Sequence, residues 1–177
     1  PEGERSDLRG RMDHPIAHVT WNDAVTYCRW ANKRLPTESE WEYAARGGLV
    51  QATYAWGDDL TPRGRHRCNI WQGKFPDRDS AEDGYAGTCP VDVFEPNGYG
   101  LYNCCGNVWE WTADWYHREG YGLAADSDPT GPETGTWRVL RGGSFSNLPS
   151  YATCTHREPA RPDQPRLTAG FRCAYSD

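Results

Sequence analysis

The 177-residue chain is the size of one domain, carries a net charge of −6 and is only 37% apolar. That acidic balance excludes the basic footprint nucleic-acid binding needs, and no apolar run approaches the ~20 residues of a bilayer span. Nine Trp, ten Tyr and four Phe exclude a disordered chain, since disorder goes with few aromatics.

In chain order, Thr20-Trp21-Asn22-Asp23 has the form of a capping box, and Ala24, Tyr27, Cys28 and Ala31 follow at helical spacing. Thr37-Glu38-Ser39-Glu40 is a second box, preceded by Pro36. Trp41, Ala44 and Ala45 supply the buried face of that helix and Gly47-Gly48 its stop. Beyond Gly48, short strands are predicted at 52–56, 90–94, 137–141 and 170–175, between turn signals such as Pro96-Asn97-Gly98. Residues 118–135 read as a polar, Gly/Pro-rich loop. The pattern is α+β: one domain over 1–177, two early helices, then short antiparallel strands in a loop-rich chain. With 19 Gly and 13 Pro spread throughout, ladder hydrogen bonds are few, and such a domain depends on staples such as metal ions or disulfides.

No signal-peptide pattern and no Asn-x-Ser/Thr acceptor is visible, so the sequence names no compartment. Pro1 stands first where Met is usual, which reads as processing or trimming. The seven cysteines (28, 68, 89, 104, 105, 154 and 173) form no Cys-x-x-Cys, which argues against zinc ribbons and thioredoxin-type motifs, and their odd number leaves at least one unpaired within the chain. His14 and His18 are four apart, but Pro15 argues against a shared helical face. His66, His117 and His156 are isolated and read as structural. The acidic run from Asp77 to Gly84 lacks the Gly and Glu positions of an EF-hand; a solvated loop and a calcium loop both remain open. Glu110, between Trp109 and Trp111, needs a cation or donors, and an Arg and a metal serve equally.

Six segments in order carry a resemblance: Arg34-Leu-Pro-Thr-Glu-Ser-Glu-Trp-Glu-Tyr-Ala-Ala-Arg-Gly-Gly48, Asn69-Ile-Trp-Gln-Gly73, Asn97-Gly-Tyr-Gly-Leu-Tyr-Asn103, Gly106-Asn-Val-Trp-Glu-Trp111, Arg141-Gly-Gly-Ser144 and Gly170-Phe-Arg-Cys173. From about residue 13 onward the chain resembles the formylglycine-generating, sulfatase-modifying family, whose fold is C-type-lectin-like. The family's N-terminal portion, upstream of the first helix, has no counterpart here. The resemblance implies two structural calcium sites, one on Asn69, Ile70, Asp83 and Tyr85, the other on Asn103, Gly106, Val108 and Glu110. It also implies a disulfide between Cys28 and Cys173; a second family bridge is excluded because Ala45 replaces its cysteine.

Family enzymes oxidise a peptide cysteine to formylglycine with oxygen and Cu(I), held by two cysteines in a Cys-His-x-Ser-Tyr-Cys segment after Arg-Gly-Gly-Ser. Here Ser144 is retained, but Asn147 and Ala152 occupy the two thiol positions, and neither supplies the soft thiolate Cu(I) prefers. The tail is shorter than the family's active form. Its Arg161-Pro162-Asp163 pattern is also similar to retroelement-diversified variable proteins and to the C-terminal half of iron-dependent sulfoxide synthases. The expected function is binding without copper chemistry. The ligand is an extended peptide or partner protein, with a sulfatase-like cysteine segment as the family's example, held by Asn147, Tyr151, His156 and Trp109. One alternative is a rewired copper oxidase that uses Cys154 with Cys104 or Cys105. The other is a variable protein displaying residues 146–168. Arg141 and Arg172 are predicted to pair with core carboxylates such as Glu40 or Glu42.

Overall fold

The computed structural model describes residues 7, 9–119 and 129–176; part of the predicted 118–135 loop lies outside them. Both predicted helices form where their boxes place them. In α1 (Trp21–Trp30) the Asp23 amide donates to Thr20 Oγ1 at 3.0 Å, and Asp23 Oδ2 accepts from the Thr20 amide at 2.9 Å. In α2 (Glu38–Arg46) Thr37 and Glu40 make the same reciprocal pair at 3.2 and 2.8 Å. Such boxes satisfy N-terminal amides that have no partner within the helix. Gly47 ends α2 with φ +55°, and a Cβ there would stand 2.7 Å from the Gly98 amide nitrogen. Asn97, from the predicted turn, donates to the last carbonyls of α2, Ala44 at 2.7 Å and Ala45 at 3.0 Å. The α1 stripe is half right: Ala24 and Cys28 are buried, whereas Tyr27 is 49% exposed.

A hairpin pairs β1 (Gly73–Lys74) with β2 (Arg78–Asp79). The main sheet contains β3 (Trp109–Trp115), β4 (Arg138–Arg141), β5 (Arg157–Ala160) and β6 (Ala169–Gly170), in the order β5-β4-β3-β6. Only the 137–141 strand of the expected set survives almost whole. Residues 52–56 reduce to a Tyr54–Gly57 bridge and 90–94 to a turn, while 170–175 keeps β6 and a bridge from Ala174 to Arg34. The sheet is also not purely antiparallel, because β3 and β6 run parallel. Two apolar clusters flank β3: one around Ala24, Cys28, Leu35, Trp111 and Leu140, the other around Trp41, Ala45, Ile70 and four cysteines. The indole N–H groups find partners as burial requires: Trp21 on the Thr112 carbonyl, Trp111 on the Val19 carbonyl, Trp41 on Glu110. Among the described residues no helix is long and apolar enough to cross a membrane.

Alternating charges bind α2 to the sheet. Arg141, fully buried, reaches Glu38 at 2.5 Å, Glu42 at 2.6 Å and the Cys154 carbonyl. Arg157 grips both oxygens of Glu38 at 2.5 and 2.6 Å, and Arg46 adds to Glu42 at 2.8 Å. Arg141 therefore pairs with the expected Glu42 but with Glu38 rather than Glu40. Glu40 instead holds the exposed Arg34.

Asp114 of β3 accepts from the Glu38 amide at 2.6 Å, capping α2 from across the core. Burial pushes its carboxyl up to about 6, with the Glu38 charge adding and Arg157 and Arg138 opposing. Arg138 lies between two indoles, its guanidinium carbon 3.7 Å from the Trp21 ring centroid and 3.5 Å from that of Trp115.

Two outcomes follow from these contacts. Arg141→Met leaves the buried Glu38 and the partly buried Glu42 each short of a cation, and urea denaturation should show a loss of about 3 kcal/mol or more with unchanged m. Asp114 holds a proton in the folded chain, between its ordinary 3.8 and about 6, that the unfolded chain has released. Its contribution to stability therefore falls as pH rises through that window. Asp114→Asn removes the dependence, so the variant should gain on the parent by on the order of 2 kcal/mol between pH 4 and 6.5, measured as the difference between their urea midpoints.

Candidate functional site

The segment replacing the family's copper motif joins β4 to β5. Gly142 and Gly143 enter it with φ +92° and +75°, and a Cβ on Gly143 would meet the Ala152 Cα at 2.9 Å. Such close approach folds the segment tightly back on itself. Ser144 is buried, and its hydroxyl donates to Asn147 Oδ1 at 2.6 Å. The Asn147 carbonyl accepts from the Trp71 amide at 3.0 Å. The side-chain oxygen and backbone of Asn147 are thus held by hydrogen bonds to Ser144 and Trp71, while Ala152 is fully buried. Neither carries a group that a soft metal could use, so the two-thiolate copper site does not fit these positions.

Tyr151, His156 and Trp109 do come together. The Tyr151 and His156 rings lie 4.7 Å apart and those of His156 and Trp109 5.7 Å apart. Trp109 is only 4% exposed and backs the stack from the core, whereas Tyr151 is 38% exposed. Burial lowers the His156 pKa, with Arg141 adding and Glu158 opposing, and its buried Nε2 has no hydrogen-bond partner. An open groove of about 850 Å³ lies elsewhere, lined by α1 and α2 residues including Trp21, Arg29 and Tyr43.

Cys154 is fully buried two residues beyond Ala152. Its thiol pKa is lowered by the neighbouring Cys105, with Arg46 and Arg141 adding and burial and Glu42 opposing. Cys154 and full burial raise the pKa of the Cys105 thiol. Both partners the sequence offered, Cys104 and Cys105, are buried in the same cluster as Cys154. Cys28 and Cys173 also meet, with unbonded sulfurs 3.5 Å apart.

The two expected calcium sets are each assembled and can be tested for fit. In the first, Ile70 donates its amide to Asp83 at 2.9 Å, and Tyr85 donates to the other Asp83 oxygen at 2.9 Å. The Gln72 amide nitrogen bridges the Ile70 carbonyl and Asp83, both at 2.6 Å. A donor there stands where a cation would bring the same oxygens together. Asn69 is fully buried, and its Oδ1 has no donor. In the second set Asn103 fixes its amide nitrogen on the Pro90 and Val91 carbonyls, leaving a buried Oδ1 without a donor. Gly106 and Val108 lie between it and Glu110; Gly106 has φ +78°, and a Cβ on it would collide with the Asn69 carbonyl. Asn103, Val108 and Glu110 line a cavity of about 340 Å³. Glu110 meets Arg172 at 2.5 and 2.6 Å as well as Trp41 at 2.7 Å, so the argument for an Arg partner is realised. Arg172 thereby pairs with Glu110 rather than Glu40 or Glu42. An amide oxygen buried without a donor is costly, and both sets contain one, so both donor sets fit a hard cation. Among the described residues no group of three or more His, Cys, Asp or Glu side chains is placed to hold a metal.

Sequence reasoning missed Gln72, Glu38 and the Glu110–Arg172 pair. Glu38, Glu42 and Arg46 recur every four residues on α2, beside Trp41 and Ala45, and that spacing could have flagged a charged seam facing the core.

A family model described as the sulfatase-modifying factor enzyme 1-like domain matches residues 1–176. The chain is 59% identical over 181 residues to a formylglycine-generating enzyme of Thermomonospora curvata, covering 98% of this chain and 59% of that protein. It is 47% identical over 180 residues to a Bos taurus protein named inactive C-alpha-formylglycine-generating enzyme 2, covering 98% and 54%. The solved structure of PvdO from Pseudomonas aeruginosa superposes with a TM-score of 0.76 at 29% identity, over 90% of this chain and 60% of that one. The expected formylglycine-generating, C-type-lectin-like fold is the fold found. The chain spans little more than half the length of these two curated relatives.

Proposed function

Because the chain belongs to the sulfatase-modifying factor enzyme 1-like family, we propose that it is a member working by binding an extended peptide or partner protein, without copper-cysteine oxidation. The observation that carries this is the pair Asn147 and Ala152: an amide locked to Ser144 at 2.6 Å and a buried methyl stand where the chemistry needs two thiolates. The relative named inactive is a precedent for the family fold existing apart from the activity. The ligand would lie along residues 144–156 against Tyr151 and the half-exposed Leu148. Tyr151 rests on His156, which Trp109 backs in turn, so little ring freedom remains to be lost on binding.

Calcium would be held by Asn69, Ile70, Asp83 and Tyr85, and by Asn103, Gly106, Val108 and Glu110. It would supply oxygen-seeking positive charge that fixes the loops beside β3. In its absence Gln72 and Arg172 partly neutralise the same oxygens.

Incubation of a Cys-x-Pro-x-Arg peptide with the protein, copper and oxygen should leave the peptide cysteine intact by mass spectrometry; an aldehyde product would overturn the reading. Fluorescence anisotropy with the same peptide should show binding that Tyr151→Ala weakens about tenfold, and no binding would remove the peptide half of the proposal. For calcium, excess chelator should lower Tm by about 5–10 °C and restored calcium should recover it. Asn69→Ala should abolish part of that response, and a Tm indifferent to chelator would remove calcium from the account.

A further inference from the structure

The groove of about 850 Å³ between α1 and α2 shares no lining residue with the 144–156 segment or with either calcium set. Its floor is the edge of one apolar cluster. Leu35 is buried there, while Trp21, Val25 and Ala113 pack against the same cluster and stay only partly buried. Cluster members left open on one side present apolar surface to whatever fills the groove. The volume falls within the range of clefts that hold ligands, about 300–1,000 Å³.

The rim of the groove is positive. Past the end of α1 the chain turns at Asn32, with φ +55°, and the Lys33 amide donates to the Cys28 carbonyl at 2.7 Å. That turn carries Lys33 to the groove that Arg29 of the last helical turn also lines, and both side chains are exposed. The remaining lining charges cancel, because Arg34 holds the two Glu40 oxygens at 2.6 and 2.7 Å. Among the described residues no carboxylate forms an ion pair with Arg29 or Lys33. The chain as a whole carries −6. Two uncompensated cations above an apolar floor therefore run against the charge of the molecule and select a partner of opposite sign.

We propose that the α1–α2 groove docks an acidic protein segment, which sets an apolar side chain on Trp21, Val25 and Leu35 and its carboxylates on Arg29 and Lys33. The floor supplies the affinity by losing water, and the two cations supply register and sign. Glu40 does not repel such a segment, since Arg34 already neutralises it. Tyr43, 69% exposed and stacked against Tyr99 with centroids 5.6 Å apart, offers a ring at the α2 side of the groove. This docking is independent of the surface around Tyr151 and of calcium.

The test titrates the full chain into two fluorescein-labelled peptides and reads anisotropy. One places Leu and Phe between pairs of Glu; the other replaces every Glu by Lys. The acidic peptide should bind more tightly, although the net charge of the chain favours the basic one. Lys33→Glu should weaken that binding about tenfold, Arg29→Glu likewise, and Tyr151→Ala should leave it unchanged. Circular dichroism checks that α1 survives in Arg29→Glu, and Lys33 lies outside the helix, so one charge reversal stays informative in either case. Raising salt from about 50 to about 500 mM should also weaken the complex. Hydrogen exchange should slow in α1 and in residues 33–43 when the acidic peptide is bound. No binding at about 1 mM peptide, a preference for the basic peptide, or slowed exchange confined to 144–156 overturns the proposal. So does self-association on sedimentation that Lys33→Glu abolishes, which would give the groove to a second copy of the chain.

Discussion

The structure turns on one fully buried cation. Arg141 cannot be hydrated, so its guanidinium must spend its donors on protein, and it does so on Glu38, Glu42 and the Cys154 carbonyl. Those acceptors come from α2 and from the β4–β5 connection, while Arg141 itself ends β4. Three pieces of chain that share little regular hydrogen bonding are therefore fixed relative to one another by a single side chain. The arrangement is costly in isolation, because desolvating several charges offsets most of their attraction. It becomes favourable here because the charges alternate from Arg157 through Glu38, Arg141 and Glu42 to Arg46, so each carboxylate is shared between two cations. In a domain with few ladder bonds, such a network gives the specificity that a longer sheet would otherwise provide.

What the sequence made legible was local. Thr20, Thr37, Gly47 and the Asn97 turn act within a few residues of themselves, and each sits where its chemistry placed it. The central strand β3 was not legible. Trp-Glu-Trp-Thr-Ala-Asp-Trp does alternate aromatic with polar residues, but its first four residues are all buried. Its polar members are satisfied by partners far away in sequence, Arg172 for Glu110 and the Glu38 amide for Asp114, so their polarity marks contacts rather than a solvent face. Conversely, 52–56 and 90–94 are apolar enough for strands, yet they pack as turns because no neighbouring strand pairs with them.

The candidate site divides in the same way. Its residue types were readable from family segments, but their partners were not. Asn69 and Asn103 share one physical signature: each spends its amide nitrogen on backbone carbonyls and leaves its oxygen buried without a donor. Two independent loops arriving at the same unbalanced arrangement argue for oxygen-seeking cations more strongly than any count of acidic residues. The loop from Asp77 to Gly84 illustrates the difference, since of its carboxylates Asp83 faces the Asn69 loop while Asp77 reaches only the exposed Lys74.

The substitutions at 147 and 152 also have a structural consequence beyond the loss of two ligands. An Asn at 147 closes a hydrogen bond with Ser144, so the hydroxyl that the family retains is engaged internally instead of facing a reactant. An Ala at 152 packs in the same cluster as Cys105 and Cys154, and thiol character in this region now resides in the interior. The surface left above it consists of Tyr151 and Leu148, carried by a short turn over Pro149–Tyr151 and backed by His156. Rings and aliphatic carbon on a rigid backing suit recognition, whereas bond-breaking on a peptide requires a reactive group that the peptide can touch. On the proposed binding reading, the exchange of reactive side chains for a packed, aromatic-faced segment is a change of task written into one connection, with the scaffold around Arg141 left intact.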